Sequence, residues 1–209
     1  MQETEEGILI KNIVFDIAGV LLDYSPREYL QRYVDTVEEA ELLAHRTFLS
    51  DDWEELDRGL FDRREIINRI CEKYPEDAGT IRRAVSNWTE MMEPLEENTR
   101  LVPKLKQSGY PLYLLSNYPR QGYEEVSEKF DFFRHFKGEV ISGDVAYLKP
   151  EDEIYQVLIE KFSLEPQHTV FIDDGQENVE AAEENGLVGI HYDGEIDLAQ
   201  KLRELNVNI

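Results

Sequence analysis

Four groups of residues carry side chains suited to chemistry. They are Asp16, Ser116 with Asn117, Lys149, and Asp173 with Asp174, separated by 100, 33 and 24 positions in a chain of 209 residues. Asp16 ends the apolar run Ile13-Val14-Phe15, and the acid pair ends Val170-Phe171-Ile172. Adjacent acids at a strand end repel one another unless a cation lies between them, and with Asp16 they compose a hard-oxygen cluster suited to Mg²⁺. Ser116 offers a hydroxyl and a backbone amide to an anionic oxygen, and Lys149 offers a compact positive charge. Each group alone has a plainer reading: Ser116-Asn117 as a turn, Lys149-Pro150 as a helix start, Asp173-Asp174 as a helix cap. Their coincidence at strand ends favours one shared site.

The elements that must bring them together alternate between two patterns. Short continuous apolar runs at 13–15, 111–117, 139–141, 168–174 and 187–191 read as strands buried on both faces. Helical stretches at 101–107, 126–136, from Lys149-Pro150 through Phe162, and around Val179 and Ala182 separate them. Strand and helix in alternation give parallel crossovers and an α/β doubly wound sheet, whose carboxyl strand ends share one edge. Gly19 allows a sharp turn just past Asp16.

Between the first and second strands the pattern is amphipathic helix throughout. Ser25-Pro26 reads as a helix start, followed by Leu30, Tyr33 and Val34 on one face. A second helix from about Val37 carries Leu42, Leu43 and Phe48, and Asp51 and Asp52 cap a third that holds Trp53 and Leu56. Ile66, Ile67, Ile70 and Tyr74 precede Pro75, and Ile81, Val85, Trp88 and Met92 follow as another face. The expected division is a core of residues 1–22 and 99–209 with an inserted helical segment at 23–98.

Composition narrows the setting. Lys and Arg number 22 against 45 Asp and Glu, a formal net charge of -23, which disfavours nucleic-acid and anionic-membrane surfaces. One cysteine, Cys71, permits no intramolecular disulfide and fits a reducing compartment as a packing residue. The leader Met1-Gln2-Glu3-Thr4-Glu5-Glu6 is acidic with no long apolar run behind it, so neither a signal peptide nor a membrane span is expected. A cytoplasmic monomer or weak homo-oligomer is the expectation. His45, His135, His168 and His191 lack metal-ligand spacing.

In order, the four groups resemble motifs one to four of the haloacid dehalogenase superfamily. The resemblance covers the whole chain and implies a Rossmann-like sheet of order 5-4-1-2-3 with the insert as a cap. It implies that Asp16 is a nucleophile forming an aspartyl phosphate. It further implies that Asp16, the Ala18 carbonyl and Asp174 hold Mg²⁺, with Asp173 bound to it directly or standing just behind, the sequence leaving open which acid of the pair binds, and that Ser116, Asn117 and Lys149 bind the phosphate of a small phosphorylated metabolite. Asp23 resembles a recurring structural acid. One position departs: the family usually has a second Asp where this chain has Ala18, and that acid protonates the leaving alcohol, a role worth about 10² to 10⁴ in rate. The small residue there resembles a branch that includes glucose 1-phosphate phosphatases, whose anomeric leaving group departs readily. Two alternatives stand beside a sugar phosphatase: a binding or regulatory protein that has lost turnover, and a phosphonoacetaldehyde hydrolase-like enzyme using Lys73, the one lysine of the insert. Trp53, Arg46 and Arg58 are conceivable substrate contacts.

Overall fold

The computed structural model describes residues 9–209. The acidic leader Met1 to Glu6 lies outside them. Five strands carry the fold: β1 (Asn12–Phe15), β2 (Leu112–Ser116), β3 (Gly138–Ile141), β4 (Thr169–Asp173) and β5 (Val188–His191). All neighbours pair in parallel in the order β3-β2-β1-β4-β5, the expected 5-4-1-2-3 read from the opposite edge. Every residue of β2 and β4 is buried, which is why their apolar runs are continuous rather than alternating.

The helices are α1 (Pro26–Leu30), α2 (Val37–Arg46), α3 (Asp51–Asp57), α4 (Arg63–Lys73), α5 (Ala78–Ser86), α6 (Glu96–Thr99), α7 (Leu101–Gln107), α8 (Arg120–Lys129), α9 (Ser142–Val145), α10 (Asp152–Phe162), α11 (Gln176–Glu184) and α12 (Leu198–Glu204). Helices α1 to α7 fall between β1 and β2, and α1 to α5 make up the inserted segment. The chain enters and leaves that segment side by side: Leu22 and Pro94 form an antiparallel bridge, Asp23 N donates to Glu93 O at 2.8 Å, and Leu95 N donates to Leu21 O at 2.9 Å. Aromatic packing ties the insert to the sheet's carboxyl edge. Trp53 meets Trp88 edge-on at 5.3 Å between centroids, and Trp88 lies 5.3 Å from Tyr118, just past β2.

Several local expectations shift, each for a contact the sequence pattern does not encode. Ser25 does not cap α1; its hydroxyl donates to Asp23 Oδ1 at 2.9 Å, and the helix ends at Leu30 before Tyr33 and Val34. In α2 Leu43 is buried but Leu42 is exposed, and Phe48 lies past the helix end. The cap of α3 is Ser50, whose Oγ accepts from Trp53 N at 3.4 Å, because Asp52 is buried and bound to Lys73 and Arg69. The stripe of Ile81, Val85, Trp88 and Met92 is buried throughout, yet α5 stops at Ser86 and Trp88–Met91 is a 3-10 turn. The helix expected over 126–136 is the end of α8 followed by a 3-10 turn at Asp131–His135. Lys149-Pro150 does not open α10, which starts at Asp152; Asn117 holds the Lys149 backbone instead.

Candidate active site

Asp16 follows the last residue of β1, and its N–H donates to Ile172 O at 2.9 Å, extending the ladder to β4. That pairing fixes the carboxylate at the sheet edge. Its Oδ1 accepts from Ile17 N at 2.7 Å and lies 3.0 Å from Lys149 Nζ. The same ammonium donates to Asp173 Oδ2 at 2.5 Å, so one buried lysine bridges two buried acids from neighbouring strands. Asp173 Oδ1 accepts from Gly175 N and Asn178 Nδ2, both at 2.8 Å. Both oxygens of Asp173 are therefore committed to protein donors. Asp174 is exposed and lines the cavity, and among the described residues it forms no ion pair.

Asn117 and Lys149 meet through a reciprocal pair of bonds. Asn117 Nδ2 donates to Lys149 O at 2.9 Å and Lys149 N donates to Asn117 Oδ1 at 2.8 Å. The Asn117 side chain thus places Lys149, and Asn117, expected at the phosphate, also lines the cavity. Ser116, the last residue of β2, is fully buried; its Oγ lies near Asp16, whose pKa it lowers, but makes no well-formed hydrogen bond to the protein. A buried hydroxyl left unpaired is costly, and it marks a place where a ligand oxygen belongs.

Asp16, Lys149 and Asp174 floor a cavity of about 420 Å³ that also takes in Ala18, Asn117, Asp57 and Asn178. Its upper wall comes from the insert and the loop after β2: Phe48, Trp53, Trp88, Met92 and Tyr118, with Tyr24 beside them. Trp88 Nε1 and the Tyr118 hydroxyl are buried without partners, like Ser116 Oγ. Of the insert residues considered from sequence, Trp53 reaches the cavity. Arg46 pairs with Glu76 and Asp77, and Arg58 pairs with Glu151. Lys73 is bound to Asp52 at 2.5 Å and is absent from the cavity wall, which removes the Schiff-base alternative.

The electrostatics are those of acids crowded out of water. Burial pushes Asp16 up to about 7; Lys149 opposes the shift, and Asp173 and Asp174 add to it. Burial and the Asp173 charge raise Asp174 as well. For Lys149 burial disfavours the ammonium, but Asp16 and Asp173 outweigh it and the pKa is raised, so the lysine stays charged. One lysine does not neutralise three acids. One carboxylate oxygen each from Asp16, Asp173 and Asp174 lies within 4.8 Å of the others, and the excess negative charge of that cluster suits a hard divalent cation.

Gly19 is what allows Asp174 to close on this cluster. Its φ is +75°, and a Cβ built there would sit 2.2 Å from Asp174 Oδ2. Gly19→Ala is expected to displace that carboxylate and weaken Mg²⁺ binding about 10- to 100-fold, read by calorimetric titration. Unchanged affinity would mean that Asp174 does not hold the cation.

The sequence pattern reached the acids, Ser116 and Lys149 but missed the residues that orient them. Asn178 sits on the first turn of α11, five positions past Asp173, and that spacing was the available signal. His191 Nε2, at the end of β5, lies 2.9 Å from Asp174 O, a contact made only by strand pairing. Asp57 and Tyr118 had no sequence signal.

The chain belongs to the haloacid dehalogenase-like hydrolase family, whose description matches residues 10–186. It is 26% identical over 196 residues to the sesquiterpene phosphatase astK of Aspergillus oryzae, a match covering 93% of this chain and 96% of that protein. It is 24% identical over 158 residues to flavin mononucleotide hydrolase 1 of Arabidopsis thaliana, covering 75% of this chain and 63% of the relative. Among solved structures, the haloacid dehalogenase family enzyme BT-2542 of Bacteroides thetaiotaomicron, in complex with magnesium and inorganic phosphate, superposes with a TM-score of 0.76 at 23% identity, covering 93% and 100% of the two chains. The likeness establishes the shared fold. Among the described residues, no helix is long and apolar enough to cross a membrane.

Proposed function

We propose that the chain is a Mg²⁺-dependent phosphomonoester hydrolase acting on a small phosphorylated metabolite through an Asp16 aspartyl phosphate. The observation that carries the reading is the Lys149 ammonium bridging Asp16 and Asp173 beside the unpaired Ser116 hydroxyl. Asp16 is the nucleophile, oriented by Ile17 N and by the β1–β4 ladder. Ser116 Oγ donates to a phosphoryl oxygen, and Lys149 balances charge that builds on the phosphoryl group. Asp16, the Ala18 carbonyl and Asp174 hold the cation, while Asp173 positions Lys149 rather than binding metal. When bound, Mg²⁺ offsets the repulsion between the carboxylates and the phosphate dianion. Residues 23–98 act as a cap over a core made of the rest of the chain. The acidic composition and single cysteine support a cytoplasmic monomer or weak homo-oligomer without nucleic-acid partners.

The alcohol part of the substrate is open to two readings. A sugar phosphate such as glucose 1-phosphate would leave easily without an acid at position 18. The wall also suits something less polar: Phe48 and Met92 carry no partners for sugar hydroxyls, and Trp53, Trp88 and Tyr118 present broad aromatic faces with one donor each, while Tyr24, Ser50 and Glu54 supply the polar groups on that side. Similarity to a sesquiterpene phosphatase and a flavin mononucleotide hydrolase supports an apolar or flat aromatic group. Phosphate release is to be measured with Mg²⁺ across glucose 1-phosphate, flavin mononucleotide, an isoprenyl monophosphate and phosphoglycolate. Preference for the apolar members supports the second reading, and preference for glucose 1-phosphate restores the first. Tight phosphate binding with no turnover of any member would replace the hydrolase with a binding protein.

A further inference from the structure

We propose that the Asp57 carboxyl, carried into the cavity by the insert, is the proton donor to the departing alcohol and then the base toward the attacking water. The inference rests on the phosphatase reading and names the group that does what Ala18 has no side chain to do. Asp57 is the last residue of α3 and lines the same cavity as Asp16, Ala18 and Lys149.

Three ties fix the backbone on either side of it. Ser142 Oγ donates to Asp57 O at 2.5 Å while accepting from Tyr118 N at 2.8 Å, joining α3 to the loop after β2. The Arg58 guanidinium forks onto both Glu151 oxygens, and Arg58 Nη1 also donates to Ala146 O at 3.3 Å. Gly59, at φ +72°, packs so closely that a Cβ there would lie 2.4 Å from Gly143 O. All three ties run from the insert to the sheet side. They use the Asp57 carbonyl, the Arg58 side chain and the Gly59 backbone, and leave the Asp57 carboxyl itself without an ion pair among the described residues. An acid held rigidly in the nucleophile's cavity, with its own oxygens uncommitted, has the placement of a general acid.

The other acid from the same helix that lines the cavity is Glu54, which is exposed to solvent. Asp57 is partly covered. Burial pushes its carboxyl well above the usual carboxylate range, the charges of Glu54 and Asp16 push the same way, and Lys149 opposes. The Tyr24 and Tyr118 hydroxyls also face it and carry no charge at neutral pH, because burial raises both. A carboxyl in those surroundings keeps a proton to give.

The step balances. The Asp16 carboxylate oxygen forms a bond to phosphorus, the bond from phosphorus to the alcohol oxygen breaks, and the electron pair left on that oxygen takes the Asp57 proton. The alcohol leaves neutral. Asp57, now a carboxylate, takes a proton from water as the water oxygen attacks the phosphorus of the aspartyl phosphate. The bond to Asp16 breaks with its electron pair returning to Asp16, phosphate departs, and Asp57 is protonated again.

The test compares wild type and Asp57→Asn on two substrates of different leaving-group quality, para-nitrophenyl phosphate and phenethyl phosphate, with Mg²⁺. A phenolate with a nitro group leaves with little help, whereas an alkoxide needs its proton. The substitution is expected to lower kcat/KM, which reports formation of the aspartyl phosphate and loss of the alcohol, on phenethyl phosphate by about 10²-fold or more, and by at least tenfold less on the nitrophenyl ester. Asp57→Ser is measured alongside, with thermal unfolding of each variant, so that misfolding of one does not decide the matter. In Asp57→Asn, adding Ala18→Asp is expected to recover part of the loss on the alkyl ester. Equal losses on both esters, or no loss on either, would overturn the assignment. Failure of wild type to release phosphate from either ester would instead overturn the hydrolase reading beneath it.

Discussion

Asp16→Asn is expected to lower kcat by about 10⁴-fold or more while raising the melting temperature of the cation-free protein. The loss follows from replacing the carboxylate beside Lys149 that opens on the cavity with an amide that does not attack phosphorus. The gain follows from the same burial. Asp16 is pushed from its ordinary 3.8 to about 7 in the fold, so its charged form is disfavoured there relative to the unfolded chain. The penalty is absent below about pH 4, grows as pH rises, and is complete above pH 7. Asparagine keeps the shape without the charge, and Lys149 keeps Asp173 as partner. The stabilisation should therefore be present at pH 8 and absent at pH 4, read by thermal unfolding in chelator. Mg²⁺ should reverse the order at pH 8, because wild type binds it with a ligand the variant lacks. A variant less stable than wild type in chelator at pH 8 would mean that the Lys149 pair outweighs the burial of Asp16. Retained turnover would remove Asp16 as the nucleophile.

This opposition between stability and chemistry also explains what was legible in the sequence. A buried parallel strand announces itself by a continuous apolar run, so Ile13-Val14-Phe15 and Val170-Phe171-Ile172 mark β1 and β4, and an acid at the end of either run has no packing reason to be there. The convergence of Asp16 with Asp173 follows once the strands are parallel neighbours. Where local pattern and tertiary contact disagree, the pattern failed. Lys149-Pro150 has the look of a helix start, yet the Asn117 amide takes the Lys149 backbone across 32 positions of sequence, and α10 begins three residues late. Asp51 and Asp52 are good caps by type, but the buried Asp52 is taken by Lys73 and Arg69 from α4, which leaves Ser50 to cap. The helical spacing of Trp88 and Met92 survived because both stay in the core, although the helix that should carry them ends at Ser86. Asp57 was silent for a different reason: its meaning depends on where the end of α3 lands, and Ser142, Glu151 and Gly143, all far along the chain, decide that.

Lys149→Met should be the most damaging single change to the fold as well as to the reaction. Lys149 is buried with a methionine-sized stem, so the substitution removes a charge more than a volume. Breaking a buried pair by deleting one partner costs about 3–5 kcal/mol, because the remaining charge has neither water nor counter-ion. Here two acids are stranded, Asp16 at 3.0 Å and Asp173 at 2.5 Å from the missing ammonium. Asp16 has one escape, which is to take up a proton. Without the lysine that opposes burial, its folded-state pKa moves further upward, so its share of the penalty is small near the unfolded carboxylate value and complete only above the raised folded one. Urea unfolding should accordingly give a loss several-fold larger at pH 8 than at pH 5, with Mg²⁺ recovering part of it at pH 8 by supplying the missing positive charge. Phosphate release should stay undetectable even where Mg²⁺ restores the fold, since the cation does not replace an ammonium bridging both acids. A loss of equal size at the two pH values would reduce Lys149 to a packing residue and leave the acids' charge to be balanced by something other than this bridge.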